Sequence, residues 1–303
     1  MAGIQYLTYQ QINKQKWDGC IDNAGNGLIY AYSFYLDVMA ENWDALVLDD
    51  YKAVMPLTWR KKYGICYLYQ PPFTASLGVF GNNLTAQTVN NFLNAVPSKF
   101  QYWDIYLNYG NYFTLTDYTL YKRMNYVLSL EKDYTAIAEN FRDNIKRNIK
   151  KCEQLGGEVK KEIAVANVIA LAKQQAKTFS KMGDDDFTRV EKLYNQLHAK
   201  QLATTYGIFH KQKLLASAAF FFSHNRAYYI LVGNHPDGKT MGASHALVNA
   251  FIKDYSYKNI LLDFEGSDIN SLAFFYSSFG AAEEKFSGIK LNRLPALLKW
   301  MKK

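Results

Sequence analysis

Residues 207–232 read GIFHKQKLLASAAFFFSHNRAYYILV, and they carry the clearest structural signal in the sequence. The stretch contains three apolar runs, Gly207–His210, Lys213–Phe222 and Ala227–Val232, which are separated by short polar segments. Apolar and aromatic runs bounded by polar turns are typical of strands joined as hairpins. The sequence therefore predicts a three-stranded antiparallel sheet at this point in the chain.

A similar arrangement occurs in the first half of the chain, with predicted strands at Ala45–Leu48, Ala53–Trp59 and Ile65–Gln70. In both copies a helical stretch and a further strand follow the three strands. These are Thr88–Ala95 and Tyr102–Leu107 in the first copy, and Ser244–Tyr255 and Asn259–Phe264 in the second. A repeated supersecondary unit predicts a duplicated domain.

The segment between the copies predicts a strand at Val127–Leu130 and then one amphipathic helix. Asp133 is a suitable N-cap, apolar residues then recur every three or four positions, and Gly156-Gly157 ends the helix. We interpret this helix as a bridge between two domains. The predicted organisation is an N-terminal domain over residues 1–130, a bridging helix over 131–157 and a C-terminal domain over 158–303.

The rest of the C-terminal domain alternates between helix and strand. The predicted elements are strand Glu158–Ile163, helices Ala166–Ser180, Phe187–Gln201 and Ile269–Phe279, strand Glu284–Asn292 and a helical turn or two in Pro295–Lys303. The expected fold class is α+β, with two duplicated domains that each contain a mixed, mostly antiparallel sheet flanked by helices.

Composition excludes several classes of protein. Of 303 residues, 49% are hydrophobic and 20% are charged, which is typical of folded chains. The longest apolar stretch, Leu214–Phe222, is far shorter than the roughly 20 residues that span a bilayer. No signal peptide is visible, and the three cysteines lack the spacing of a disulfide framework or a zinc site. We expect a cytoplasmic protein with no metal and no membrane partner.

The net charge of +8 is unevenly distributed. Residues 142–161 contain seven Lys or Arg residues against three acidic ones. Such a patch could contact phosphate groups on a nucleotide or on RNA, or it could be the solvated face of a helix.

Three segments together resemble the GNAT superfamily of acyl-CoA-dependent N-acyltransferases. They are residues 126–159, YYILVGNHPDGKTMGASHALVNAF at 228–251 and LLDFEGSDINSLAFFYSSFGA at 261–281. The closer resemblance is to the double-domain branch, the Fem-type aminoacyltransferases and the related BioF-like acetyltransferase domain. It covers about a quarter of the chain directly, and the duplicated element order extends it over most of the remainder.

The resemblance implies an acyl-CoA site, most simply for acetyl-CoA, in the C-terminal domain. The strand at Ala227–Val232 would diverge from its neighbour and pair with pantetheine, and the following loop would bring the diphosphate to a helix N-terminus. The family's loop has Arg or Gln, two residues, Gly, one residue, and Gly or Ala, whereas this chain ends the segment with a serine. The implied cofactor-binding residues are Leu231, Val232, Gly233, Lys239, Thr240, Met241, Gly242, Ala243 and Ser244.

Three residues are candidates for the chemistry. Tyr276 lies four residues before Gly280, like the family's tyrosine that protonates the CoA thiolate, although it could equally pack in a helix seam. Asp263 and Glu265 lie two apart at the end of a predicted strand, so their side chains would share a face and could accept the amine proton. Carboxylates at strand ends also serve as helix caps or salt-bridge partners. His245 is expected to be a surface histidine.

The first copy lacks the features of a cofactor site, because Pro71 and Pro72 remove amide donors after its third strand. We therefore expect the N-terminal domain to bind the acceptor, a small-molecule or peptide amine. By analogy with the fold, the candidates for the acceptor cleft are Tyr69, Gln70 and Phe73.

Three hypotheses of function remain. The first is an acyl-CoA-dependent N-acyltransferase. The second is a Fem-type transferase that takes its aminoacyl group from tRNA, which the basic segment favours, although the pair of long helices that some Fem-type members insert is absent from the sequence. The third is a catalytically silent binding protein of the same fold.

Overall fold

The computed structural model describes residues 3–115, 118–176, 182–266 and 268–295. The chain divides into two compact units, Met1–Arg123 with Lys285–Lys303 as unit 1, and Met124–Glu284 as unit 2. The predicted boundaries at 130 and 157 therefore differ from those of the structure. The segment that was expected to bridge two domains lies inside unit 2.

Unit 1 contains a sheet with helices. Its elements are β1 (Ile4–Leu7), α1 (Lys14–Asn23), α2 (Ser33–Met39), β2 (Asn42–Leu48), β3 (Ala53–Lys62), β4 (Ile65–Tyr69), β5 (Phe80–Gly81), α3 (Ala86–Asn94) and β6 (Phe100–Tyr106). Strands β1 to β4 pair antiparallel in sequence order, and β4 then pairs with β6 in parallel. Thr85 caps α3 by accepting from the amide of Thr88, and Val89, Phe92 and Leu93 of that helix lie in the core of the unit.

Unit 2 follows the same plan with additional helices. The next elements are β7 (Thr119–Ser129), α4 (Tyr134–Glu139), α5 (Asp143–Gln154), β8 (Glu158–Lys161), α6 (Val165–Ala176), α7 (Asp184–His198), β9 (Ala203–His210), β10 (Lys213–Ser223), β11 (Arg226–Asn234), α8 (Pro236–Met241), α9 (Ala243–Tyr255), β12 (Leu261–Asp263), α10 (Asn270–Ser277) and β13 (Ala282–Asn292). The part of β7 before Met124 and the part of β13 from Lys285 onward belong to unit 1. Strands β8 to β11 are antiparallel, β11 pairs with β12 in parallel, and β12 pairs antiparallel with β7.

The core of unit 2 lies between this sheet and α9. The ring of Phe251 on α9 stacks on Phe220 of β10 with centroids 3.8 Å apart, and Tyr206 of β9 contacts both rings edge-on. The aromatic residues that mark β9 to β11 in the sequence are therefore largely core residues. Part of the tyrosine and phenylalanine content of the chain is used for packing.

The predicted duplication is visible in the pairing of the strands. In unit 1, β2, β3 and β4 form an antiparallel set, and β6 returns parallel to β4 after helix α3. In unit 2, β9, β10 and β11 form the same set, and β12 returns parallel to β11 after α9. The α+β class is confirmed, and the same pairing of strands occurs in both units.

The single helix predicted after Asp133 is wrong, because the chain breaks it into α4 and α5. Phe141 in the break is buried, with its ring 5.2 Å from that of Phe279, and the amide of Arg142 donates to the carbonyl of Ser278 at 2.9 Å. A long-range hydrogen bond and a buried ring thus compete successfully with helix propensity. Helix α6 ends at Ala176, and residues 177–180 of the predicted helix lie outside the described residues, as do residues 296–303 of the predicted terminal turns.

Within the described part of the chain, no helix is long and apolar enough to cross a lipid bilayer. In the same residues, no group of three or more His, Cys, Asp or Glu side chains is placed to hold a metal ion.

Candidate functional site

Strand β11 diverges from β12 shortly after the two strands meet. Their parallel pairing covers only Arg226–Tyr228, and no strand among the described residues pairs with Tyr229–Asn234 on that edge. On this part of β11 the side chain of Leu231 is buried and that of Val232 is half-buried, and Gly233 packs against Leu171 and Ala172 of α6. In unit 1 the equivalent strand β4 stays paired with β6 to its last residue. Unit 2 therefore has an unpaired strand edge that unit 1 lacks.

Aromatic rings surround the point where the strands separate. The ring of Tyr276 on α10 stacks on Phe264, the residue after β12, with centroids 4.6 Å apart. Phe264 in turn contacts Tyr229 of β11 edge-on at 6.0 Å. Tyr276 is 7% exposed, and no described residue hydrogen-bonds its hydroxyl group. Burial, and then the negative charge of Glu265, raise the pKa of Tyr276 well above its usual range, so the phenol is protonated at neutral pH.

Glu265 follows β12 and occupies an unusual backbone conformation. Its φ is +63°, in the left-handed region that non-glycine residues rarely adopt, and its amide donates to Oδ1 of Asp263 at 2.8 Å. Because β12 ends at Asp263, strand alternation does not extend to Glu265. The expectation that the two carboxylates share a face through that alternation does not hold.

Asp263 is the centre of a buried polar cluster. Its carboxylate accepts from Nη1 of Arg226 at 2.8 Å, from Nδ2 of Asn125 at 2.9 Å and from the amide of Glu265. Burial raises the pKa of Asp263, against the opposing effect of Arg226, and the side chain is only 5% exposed. The structure thus gives Asp263 the salt-bridge role that the sequence left open, and Glu265 is the better placed candidate base.

The predicted diphosphate loop is not a loop. Lys239, Thr240 and Met241 lie in helix α8, and α9 begins at Ala243. His235 caps α8 and Pro236 occupies its first turn, a combination typical of a helix start. Because backbone amides inside a helix bond to carbonyls one turn back, those three residues do not present their amides as an open cradle. The loop prediction is wrong at these three positions.

Gly242 connects the two helices and faces α5 rather than open space. Its φ is +78°, and a Cβ atom there would lie 2.5 Å from the backbone oxygen of Asn148. Ser244, in the first turn of α9, donates its hydroxyl hydrogen to Oδ1 of Asn234. Helix α5 also carries two exposed cations near this contact, Arg147 next to Asn148 and Lys151 one turn further along. Neither cation has an acidic partner among the described residues. Cationic groups for a phosphate are therefore available on α5.

His245 is half-buried, so the expectation of a surface histidine is wrong. Its ring contacts Phe275 edge-on at 4.9 Å, and Nε2 lies 3.5 Å from Nδ2 of Asn148. Burial lowers the pKa of His245 to about 4, so the imidazole is neutral at neutral pH. Nδ1 is buried and has no hydrogen-bond partner among the described residues.

The three acceptor candidates in unit 1 are held by local contacts. The hydroxyl of Tyr69 accepts from the amide of Glu41 at 2.9 Å, and the guanidinium of Arg60 lies 4.2 Å from the centre of its ring. The side chain of Gln70 donates to the carbonyl of Thr74 and accepts from the amide of Tyr106. Phe73 has a φ of +53°, and its carbonyl accepts from the hydroxyl of Tyr35.

Comparison with known proteins supports the resemblance seen in the sequence. Residues 139–267 match the family model described as the acetyltransferase (GNAT) domain. A search of curated protein sequences finds no match.

Solved structures of low sequence identity share the fold over nearly the whole chain. FemX is 13% identical, with 99% of this chain and 100% of that chain covered and a TM-score of 0.67. A conserved protein of unknown function from Bacteroides thetaiotaomicron VPI-5482 is 11% identical, with coverage of 95% and 99% and a TM-score of 0.61. L-PGS from Bacillus licheniformis is 11% identical, with coverage of 95% and 93% and a TM-score of 0.53. The protein has the GNAT fold, and FemX has the same fold over its full length.

Proposed function

We propose that the protein is an N-acyltransferase that moves an acyl group from acyl-CoA, most simply acetyl-CoA, to an amine. The observation that carries this proposal is the divergence of β11 from β12 after Tyr228. A strand edge without a protein partner can hydrogen-bond the amide groups of pantetheine. The protonated phenol of Tyr276 and the carboxylate of Glu265 belong to the residues around the same divergence.

These groups match the needs of acyl transfer. The amine attacks the thioester carbonyl carbon, so that a C–N bond forms and the C–S bond breaks. Glu265 takes the amine proton, directly or through water, and the Tyr276 hydroxyl gives its proton to the departing thiolate. Return of the proton from Glu265 to Tyr276 through solvent restores both groups.

The donor's diphosphate would be held differently from the family's usual manner. In the first turn of α9 the amides of His245 and Ala246 donate to the carbonyl of Gly242, so the amides of Ala243 and Ser244 would meet the diphosphate, and Arg147 and Lys151 of α5 would supply positive charge. Unit 1 would hold the acceptor amine, near Tyr69, Gln70 and Phe73, because its β4 and β6 remain paired and leave no equivalent edge for a donor.

Aminoacyl-tRNA is a second candidate donor, supported by the surface of α5. Arg147, Lys150 and Lys151 have no acidic partner among the described residues. A groove of about 470 Å³ beside α4 and α5 is lined by Tyr134, Phe141 and Lys146, among others. Cations next to aromatic rings are typical of surfaces that bind single-stranded nucleic acid. The occupied amides of α8 also favour a donor that does not need a diphosphate loop.

Isothermal titration calorimetry with acetyl-CoA and with charged tRNA separates the donors. The acyl-CoA proposal predicts saturable binding of acetyl-CoA, weakened by Arg147→Gln with Lys151→Gln. Exposed Lys16→Gln in unit 1 is the matched control and should change nothing. No binding of acetyl-CoA or of longer acyl-CoA at millimolar concentration, with salt-dependent binding of tRNA instead, would overturn the first proposal and support the second.

A silent binding protein is the remaining possibility, and turnover tests it. Thiol release from acetyl-CoA is followed with a panel of amines that includes amino sugars, amino acids and short peptides. We expect transfer that falls about a hundredfold or more in Tyr276→Phe and in Glu265→Gln. Donor binding without thiol release by the wild-type protein for any amine would instead support the silent reading.

A further inference from the structure

Arg226, Asp263 and Glu284 form an ion cluster in the interior of unit 2. The guanidinium donates through Nη1 to Asp263 at 2.8 Å and through Nη2 to Glu284 at 2.6 Å. Arg226 is 7% exposed, and Asn125 donates to both carboxylates at 2.9 and 3.2 Å. A buried ion pair costs desolvation energy and is a weak source of stability, so a cluster of this kind is compatible with a role other than stability.

The cluster reaches the backbone at the point where β11 and β12 separate. Oδ1 of Asp263 accepts the amide of Glu265, whose φ of +63° is sterically strained. Strained backbone of this kind persists where the surroundings hold it in place. The Asp263 carboxylate accepts the Glu265 amide, and hydrogen bonds from Arg226 and Asn125 fix that carboxylate in place.

The same short segment also holds the ring that faces Tyr276. Phe264 lies between Asp263 and Glu265, its amide donates to the carbonyl of Tyr126 at 3.0 Å, and its ring stacks on Tyr276 at 4.6 Å. One turn thus determines the position of the Glu265 side chain and supports the phenol ring. A shift of this turn would move the carboxylate relative to the hydroxyl.

We propose that Asp263 is a positioning residue, which acts with Arg226 and Glu284 to hold Glu265 in its strained conformation beside Tyr276. The inference rests on the proposed function, in which Glu265 accepts the amine proton. Asp263 itself accepts no substrate proton in this scheme, because three donors already occupy its carboxylate.

A double-mutant cycle on the rate of acyl transfer tests this role. Asp263→Ala removes the acceptor for the Glu265 amide and should lower kcat about tenfold or more, with KM for the donor changed less than about twofold. In a Glu265→Gln background the same change should cost less than about twofold, since the positioned group is already gone. Asp263→Asn keeps Oδ1 as the acceptor for the Glu265 amide but places an NH2 donor where Oδ2 accepts from Arg226, so kcat should recover only in part, to a value between those of Asp263→Ala and the wild-type protein.

Amide hydrogen exchange gives a readout that does not need activity. In the wild-type protein the Glu265 amide should exchange slowly, and Asp263→Ala should accelerate its exchange about a hundredfold, while amides of β9 and β10 change far less. The control is Asp50→Asn, which breaks the solvent-exposed ion pair between Lys16 and Asp50. It should leave the exchange of the Glu265 amide unchanged. If Asp263→Ala does not fold, Asp263→Asn and Glu284→Gln are compared in the same way.

The outcomes separate the two claims. Equal loss of kcat from Asp263→Ala in both backgrounds, or an unprotected Glu265 amide in the wild-type protein, would overturn the positioning role. A protected amide in a protein that transfers no acyl group from any donor would overturn the proposed function and, with it, the positioning of a base. A loss of kcat that occurs only when Glu265 is present and not in the Glu265→Gln background, together with the predicted hydrogen exchange, supports the inference.

Discussion

Gly242 lies against Asn148 so closely that a Cβ atom at position 242 would be 2.5 Å from the Asn148 backbone oxygen. The resemblance to GNAT proteins implied that this glycine belongs to the loop that holds the donor's diphosphate. In the structure, helix α5 makes the close approach instead. The beginning of α9 is therefore supported by a helix–helix contact, and any phosphate must bind beside that contact.

Substitution of Gly242 should destabilise the fold. Gly242→Ala puts a Cβ into the Asn148 backbone and forces an alanine into a left-handed conformation, so the free energy of unfolding should fall by about 2 kcal/mol or more. Urea denaturation measures the change. Gly19→Ala is the matched control, because Gly19 lies inside α1 with no atom within 4 Å of the new methyl group, and it should stabilise by about 0.5–1 kcal/mol. An unchanged Gly242→Ala protein would contradict the close contact.

Removal of Arg226 should be more costly than removal of any exposed cation. Arg226→Met leaves the buried Asp263 and the partly buried Glu284 without their counter-ion, and the free energy of unfolding should fall by about 3–5 kcal/mol. Lys16→Met breaks a solvent-exposed pair with Asp50 and should cost less than about 1 kcal/mol. Similar losses in the two variants, measured by chemical denaturation, would show that the Arg226 cluster is not desolvated.

The neutral, half-buried His245 should make stability depend on pH in a defined range. Its pKa is about 4 in the folded protein and about 6.5 in an unfolded chain, so the unfolded chain binds a proton that the folded protein does not. The contribution of His245 is therefore complete above about pH 7 and is lost as pH falls towards 4. Relative to His245→Gln, the wild-type protein should lose about 2 kcal/mol between pH 7 and pH 4. Parallel stability curves for the two proteins would contradict the burial of the ring.

Tyr276→Phe should separate chemistry from packing. The ring keeps its stack on Phe264 while the hydroxyl is lost, so acyl transfer should fall about a hundredfold or more with the melting temperature unchanged to within about 2 °C. Tyr206→Phe is the matched control, because that hydroxyl donates to Asp254 and Tyr206 lies on β9, which β10 and β11 separate from β12 in the sheet. A drop of transfer in both variants would indicate a general effect on the fold.

The sequence was sufficient for the strands and for their duplication. The apolar runs at Lys213–Phe222 and Ala227–Val232 fall in β10 and β11, because local alternation and turn residues specify hairpins. The helix break at Phe141 was not predictable in the same way, since it depends on a hydrogen bond from Arg142 to the distant Ser278.

The candidate site was only partly predictable from the sequence. The divergence of β11 from β12 agrees with the expectation from the resemblance, whereas α8 replaces the expected loop. His235-Pro236 is a local signal for that helix start, but the glycines around it are equally typical of a loop, so the sequence alone does not distinguish the two. Asp263 pairs with Arg226, which lies 37 positions earlier in the sequence, and Arg226 also pairs with Glu284. These contacts connect distant positions, so no local sequence pattern predicts them.

Hydrogen exchange on the protein with and without acetyl-CoA tests the central claim most directly. If the donor binds along the unpaired edge of β11, saturating acetyl-CoA should slow exchange at amides of residues 229–234, with no change along β4 at Ile65–Tyr69. Unaltered exchange throughout β11 at saturating acetyl-CoA, or protection confined to unit 1, would contradict the proposal that this edge receives the acyl donor.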